Sequence, residues 1–361
     1  MSSSIRRIVM VAPHFEEYAF LLARALAREA AVLLVVDTAR LDADYQDRPR
    51  PAAAAVTLRH CTFGATELPG LALAIARFRP DVLHWQEPSG LVKAVMAAVT
   101  VTLAGPFCRT ALTIHDAVPH SGRDATVAAR LAPVRRFTRA RVQRLFVHGP
   151  SCAEQYLQEY LPAPHRDPRL RLTEHGTILA GPAVPPPAGF RVLMFGRMEA
   201  YKGLDVLLEA WRLLVARGVT AALELAGSGP ELDQLGPEFA ALPGVTVTPG
   251  YISSAQVIAK IGAADALVLP YHSATQSGVL AAAMGNGRFA VASRVGGIPD
   301  TIEHGNNGLL VEPGDAAGLA DALARLANDP ALRRHLQSGA ARTAATRLDW
   351  ELIAQGILAD Y

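Results

Sequence analysis

Short runs of apolar and β-branched residues recur along the chain, separated by longer stretches in which apolar positions follow helical spacing. In the first half these runs are RIVMVA, AVLLVVD, AVTLRH, VLHWQ, RTALTIH, RLFVHG and RLTEHG. Between them lie helix-like stretches such as Glu17 to Glu29 and Gly90 to Ala104. The segment LAGPAVPPPAGF then interrupts the pattern with four prolines between Pro182 and Pro187, a composition that reads as an interdomain linker. The pattern restarts with RVLMFG, AALELAG, VTVTPG, ALVLP, FAVAS and GLLVE. Strands alternating with helices predict parallel sheets covered by helices on both faces. The expected fold class is α/β, with two Rossmann-like doubly wound domains facing across a cleft. The boundaries read as 1–183, 190–345 and a terminal helix over 346–361, in RLDWELIAQGILADY, with Trp350, Ile353 and Ile357 on one face. That helix either closes the second domain or crosses back to the first.

Composition narrows the class. Half of the 361 residues are hydrophobic and 19% are charged, which describes a globular chain rather than a disordered one. A net charge of +2 gives no argument for nucleic acid as a partner. Cys61, Cys108 and Cys152 are odd in number and lack metal-ligand spacing, which fits a reducing compartment. The opening MSSSIRRIVMVAP is too short in apolar residues for a leader, and no uninterrupted run of ~18 apolar residues occurs. The expectation is a soluble, cytoplasmic protein.

The chemistry gathers in the second half. In VLMFGRMEAYKGLDVLLEAWRLL a strand ends at Phe195 and Gly196 turns the backbone, with Arg197 and Lys202 five residues apart before a helix. Two cations and a helix N-terminus suit a diphosphate, although two solvated cations flanking a surface turn read equally well. In LPYHSATQSGVLAAAMGNGRFAVASRVGGIPD, Thr275, Gln276, Ser277 and Gly278 stand between a strand and a helix start. Such a turn offers N–H groups and hydroxyls to an anion, or simply caps a helix. Gly227-Ser228-Gly229-Pro230 is a weaker third turn of the same kind.

These pieces, with GYISSAQVIAKIGAADALVLPY, GGIPDTIEHGNNGLLVEPGD and LDWELIA, run from Val192 to Ala354 in an order that resembles retaining GT-B glycosyltransferases of family 4 (group 1). The resemblance implies sugar transfer from a nucleotide-diphosphate donor with retained anomeric configuration, no metal and no other cofactor. It implies that Gly196, Arg197, Lys202, Gln276, Ser277 and Gly278 line the donor diphosphate, and that Tyr251 and Ile252 lie on the nucleobase side. Members commonly carry two glutamates, one near the sugar and one on the ribose. Aligned through Met284 and Gly287, those positions here are Ala274 and Ala282, so the chain resembles a variant with a Gln-Ser-Gly turn. Phe289 stands where the family usually has proline.

The first half resembles the family more loosely. Its first strand leads into His14, Phe15 and Glu16 rather than a glycine-rich loop, which also argues against a nicotinamide dehydrogenase. His115, His148 and His175 stand at or near strand ends; His115 matches a family histidine near the reacting sugar, and Asp116 beside it is an acceptor-side carboxylate. These two are the catalytic candidates. Arg123 and the run from Arg130 to Arg144 make this half basic. The plain reading of that run is a solvated helix face; the sharper one is a phosphorylated or lipid-linked acceptor, with peripheral contact at the inner membrane face. Asp42 and Asp44 form an Asp-x-Asp in what reads as a polar loop, where chance explains it best. The rival to a transferase is a nucleotide-sugar-binding or scaffolding protein, motivated by Ala274 and Ala282.

Overall fold

The computed structural model describes residues 7–116, 123–160, 166–182, 184–185 and 188–361, the side chains of 123–129 excepted. Two compact units result: one runs to Gly176 and takes in Asp349–Tyr361, the other is Thr177–Leu348. The boundary therefore precedes the proline-rich segment, of which residues 183, 186 and 187 lie outside the described residues. Ile178 and Leu179 already pack against the second core, and Gly181 N–H donates to Asn286 Oδ1 at 2.9 Å, which draws this stretch into the second unit.

The first unit holds β1 (Arg7–Ala12), β2 (Ala31–Val36), β3 (Val56–His60), β4 (Val82–Gln86), β5 (Arg109–Ile114), β6 (Arg144–His148) and β7 (Leu170–Thr173). They form one parallel sheet in the order β3-β2-β1-β4-β5-β6-β7. In β1 every residue after Arg7 is buried, as expected of a strand covered on both faces. The second unit holds β8 (Arg191–Arg197), β9 (Ala222–Ser228), β10 (Val245–Pro249), β11 (Ala266–Leu269), β12 (Phe289–Ser293) and β13 (Gly308–Val311). Their order is β10-β9-β8-β11-β12-β13, again parallel. In each unit the chain reverses its direction of travel across the sheet once, at β1/β4 and at β8/β11. Ligands of open parallel sheets bind outside the carboxyl ends of strands at such a reversal.

The terminal helix Trp350–Asp360 belongs to the first unit. Trp350, Ile353 and Ile357 are buried, and the Tyr361 hydroxyl lies 2.5 Å from His84 Nδ1, a ring with no exposure. Arg109 and Arg144 donate to the last two carbonyls. Asp42 and Asp44 lie on a helix, Thr38–Asp44, and not in a loop. Asp37 caps it by accepting from Ala39 and Arg40 N–H, a local signal that outweighs the polar composition. Two residues apart on a helix, the pair does not converge. Asp42 joins Arg50, whereas burial, with Glu17 and Glu16 nearby, pushes the Asp44 carboxyl up to about 6.

Candidate functional site

The reversal point of the second unit collects the predicted cations. β8 ends on Gly196 and the exposed Arg197, and a 3-10 turn, Ala200–Lys202, leads into the helix Leu204–Ala216. Gly203 has φ +68°, and a Cβ there would stand 2.0 Å from the Pro270 carbonyl, so only glycine lets this turn reach the end of β11. That close approach buries Lys202 to 8% exposure. Its ammonium donates to the Tyr271 hydroxyl at 2.8 Å and stands 4.4 Å from the centre of the same ring. Burial lowers the Lys202 pKa, nearby Tyr201 raises it, and Arg197 lowers it. Among the described residues no carboxylate pairs with this ammonium. A buried cation without a counter-charge is held ready for an anion.

The loop after β11 completes this corner. Tyr271 is hydrogen-bonded to the Ser277 side chain, and Ser277 Oγ accepts from Leu280 N–H at 3.2 Å, capping the helix Gly278–Gly285. Lys202, Tyr271 and Ser277 thus form one chain of hydrogen bonds joining the two turns. Gln276 Oε1 is buried with no hydrogen-bond partner among the described residues. Gly296, at φ +50°, lets its backbone lie against the loop, since a Cβ would stand 1.6 Å from the Ala274 carbonyl. Ala274 is 8% exposed and Ala282 not at all, so neither position leaves room for a carboxylate at the surface. Tyr251 is exposed and Ile252 half-buried, after the end of β10. Tyr271 escaped the sequence reading. It is 69 positions from Lys202, and nothing local marks an aromatic at a strand end as a partner for a cation.

In the first unit His115 is buried and its ring nitrogens are both engaged. Nε2 lies 2.8 Å from Gln86 Oε1, and Nδ1 lies 3.2 Å from His148 Nε2. Tyr18 sets its ring edge-on to His115 and His148 and packs against His175 as well. Burial holds all three histidines below the usual imidazole range, with their mutual repulsion adding to it at His115 and His148. Asp116 is half-buried next to His115. Half of the six arginines in the basic run are spent inside this unit. Arg139 forms a bidentate pair with Glu87 at 2.7 Å, both buried; Arg135 donates to the Pro88 carbonyl, and Arg144 to Asp360. Arg130, Arg136 and Arg141 remain exposed, while the Arg123 side chain lies outside the described residues.

Two doubly wound parallel units of this order make the fold GT-B. Solved structures agree across almost the whole chain. Sucrose-phosphate synthase from Thermosynechococcus elongatus matches with TM-score 0.74 at 20% identity, covering 98% of this chain and 97% of that one. Anabaena HepE in complex with UDP matches with TM-score 0.71 at 18% identity, covering 98% of both. Residues 189–329 match the family model described as Glycosyl transferases group 1. A D-inositol 3-phosphate glycosyltransferase from Pseudarthrobacter chlorophenolicus is 35% identical over 179 residues, 45% of this chain and 42% of that protein. Alpha-D-kanosaminyltransferase from Streptomyces kanamyceticus is 33% identical over 159 residues, 43% of this chain and 41% of that protein. The chain thus spans under half the length of these two relatives.

Proposed function

We propose that the chain is a retaining glycosyltransferase that needs no metal. It moves a sugar from a nucleoside-diphosphate donor, held by the second unit, to an acceptor hydroxyl held by the first. The observation that carries this reading is the buried Lys202 ammonium, tethered to Tyr271, paired with no carboxylate among the described residues and standing beside Arg197 at the sheet's reversal point. In the reaction the bond between the anomeric carbon and the diphosphate breaks, the acceptor oxygen bonds to that carbon, and the hydroxyl proton passes to an oxygen of the departing diphosphate. The diphosphate leaves with added negative charge, which Lys202, Arg197 and the N–H groups at Gln276 to Gly278 would neutralise. Tyr251 and Ile252 would flank the base. His115 and Asp116 serve the acceptor side, His115 as a neutral ring already fixed by Gln86 and His148.

A panel of nucleotide sugars, uridine donors first because a fold neighbour binds UDP, tests the proposal by thermal shift and then by nucleotide release in excess chelator. Release that stops in chelator and returns with magnesium or manganese would remove metal independence. The buried alanines at positions 274 and 282 favour a second reading, a nucleotide-sugar-binding protein without turnover. Donor binding with no release in the presence of any acceptor would establish it.

A further inference from the structure

The first unit carries a surface helix whose larger apolar residues face water. Helices covering a sheet ordinarily turn their apolar residues to the core and their polar ones outward. The helix Leu91–Ala104 buries the small side chains of Ala94, Ala97 and Ala98 and exposes the larger Leu91, Val92, Val95 and Leu103. Phe107, three residues beyond its end, is 88% exposed. The neighbouring helix, Leu68–Phe78, adds the exposed Leu73. Between the two helices lies a groove of about 730 Å3 walled by Leu73, Ile75, Leu103, Ala104 and Phe107. Together these helices carry two cations, Arg77 and Lys93, and no acid. Arg79 ends the Leu68–Phe78 helix at φ 49° and ψ 63°, a left-handed position that glycine would occupy at less cost. Its side chain is exposed and lines the groove. The helix Arg123–Arg141, packed beside Leu91–Ala104, exposes Arg130, Arg136 and Arg141. Asp81, the acid on the groove's lining, accepts from Arg7 N–H at 2.9 Å.

An apolar face flanked by cations fits a partner that is apolar within and anionic at its surface. A second copy docked here by two-fold symmetry would set Arg77 and Arg79 against like charges. We propose that this face docks on an anionic lipid bilayer. The helix Leu91–Ala104 lies in the headgroup plane, Leu103 and Phe107 enter the acyl region, and Arg77 and Arg79 meet lipid phosphates. The groove lies at the amino ends of β4 and β5, beside Asp81 and Cys108, whereas His115 follows the carboxyl end of β5. The contact is therefore separate from the candidate site, and it does not rest on the transferase reading.

The test is flotation of the whole chain with vesicles of phosphatidylcholine containing phosphatidylglycerol, against vesicles of phosphatidylcholine alone. The chain should float with the anionic vesicles, and less so as salt rises. Phe107→Asp, at a side chain already in water, should keep Tm and lower partitioning by about tenfold or more. Arg79→Gly should lower it by about fivefold while keeping or raising Tm, because glycine suits the left-handed position. Leu352→Asp, at an exposed leucine of the terminal helix, should change nothing. In Phe107→Trp the new indole should be quenched by lipids brominated on their acyl chains. No flotation of the wild type, equal flotation with both vesicles, or a Phe107→Asp variant that floats as well as the wild type would overturn the proposal. So would equal loss in Leu352→Asp, or an unquenched indole. A dimer in solution that Phe107→Asp dissolves would assign the face to a second copy instead.

Discussion

At the residue scale the site depends on a lysine whose charge is stabilised by few neighbours. Lys202 donates to the Tyr271 hydroxyl, and burial already lowers its pKa. Lys202→Ala should weaken nucleoside-diphosphate binding by about tenfold or more, since a charge-assisted hydrogen bond is worth roughly 1.5–3 kcal/mol. Calorimetry with UDP, GDP and ADP reads this directly, and unchanged affinity in both Lys202→Ala and Arg197→Ala would remove the assignment. Tyr271→Phe keeps the ring and deletes the hydroxyl that accepts the lysine's proton and bonds Ser277. Removing that bond lowers the lysine pKa further, so the loss of diphosphate affinity with rising pH should begin at lower pH than in the wild type. An unaltered pH profile would leave Tyr271 as packing alone. His115 poses a different case, because its ring nitrogens are taken and Phe15 covers a face. His115→Ala should lower transfer by about an order of magnitude or more while nucleotide affinity stays near wild type. A parallel fall in both would mark a purely architectural residue.

At the element scale the strands were legible because a parallel strand buried on both faces is a nearly continuous apolar run. VLHWQ and FAVAS match β4 and β12 residue for residue, and RVLMFG and RLTEHG differ from β8 and β7 by one to three residues at their ends. The helix carrying Asp42 and Asp44 was missed because its signal is one capping aspartate, Asp37, in an otherwise polar stretch. The loop after β11 shows what pattern cannot give. Its turn and the helix after it were readable, but the packing of Gly296 on Ala274 was not. That packing sharpens one expectation. Ala274→Glu would place a carboxylate in a site 8% exposed, near the positive end of the following helix. Donor binding should weaken, and a titration of wild type and variant with one nucleotide sugar decides it. Tighter binding or faster release in the variant would show that the neutral loop is a decayed form of an acidic one.

At the scale of the whole molecule the two units differ in how they should meet acid. His84, His115, His148 and His175, all in the first unit, are held below their ordinary pKa by burial; His84 and His148 reach about 3 and His175 about 4. An unfolded chain takes up these protons near pH 6.5, whereas the folded unit refuses them until much lower pH. The unfolded state therefore binds more protons as pH falls below about 6.5, at roughly 1.4 kcal/mol per histidine per pH unit. Stability of the first unit should be greatest above that range and decline through pH 6 to 4. Hydrogen exchange at pH 7 and pH 5 should show protection lost first in β4, β5 and β6. Equal loss in β8, β11 and β12 would contradict this.

By itself the sequence determined the two α/β units, their strands and the segment carrying Arg197 and Lys202, because apolar period and glycine placement act over a few residues. It also put alanine, not an acid, at positions 274 and 282. Only the tertiary structure decided which side chains share a site. Lys202 with Tyr271, Phe15 with His115, and Glu87 with Arg139 are each brought together from distant parts of the chain by strand order in a parallel sheet. It also decided that the terminal helix belongs to the first unit, where His84 buries a ring that needs the Tyr361 hydroxyl. Burial does this sorting: a polar group removed from water must find a partner, and that partner is chosen by proximity in space rather than along the chain.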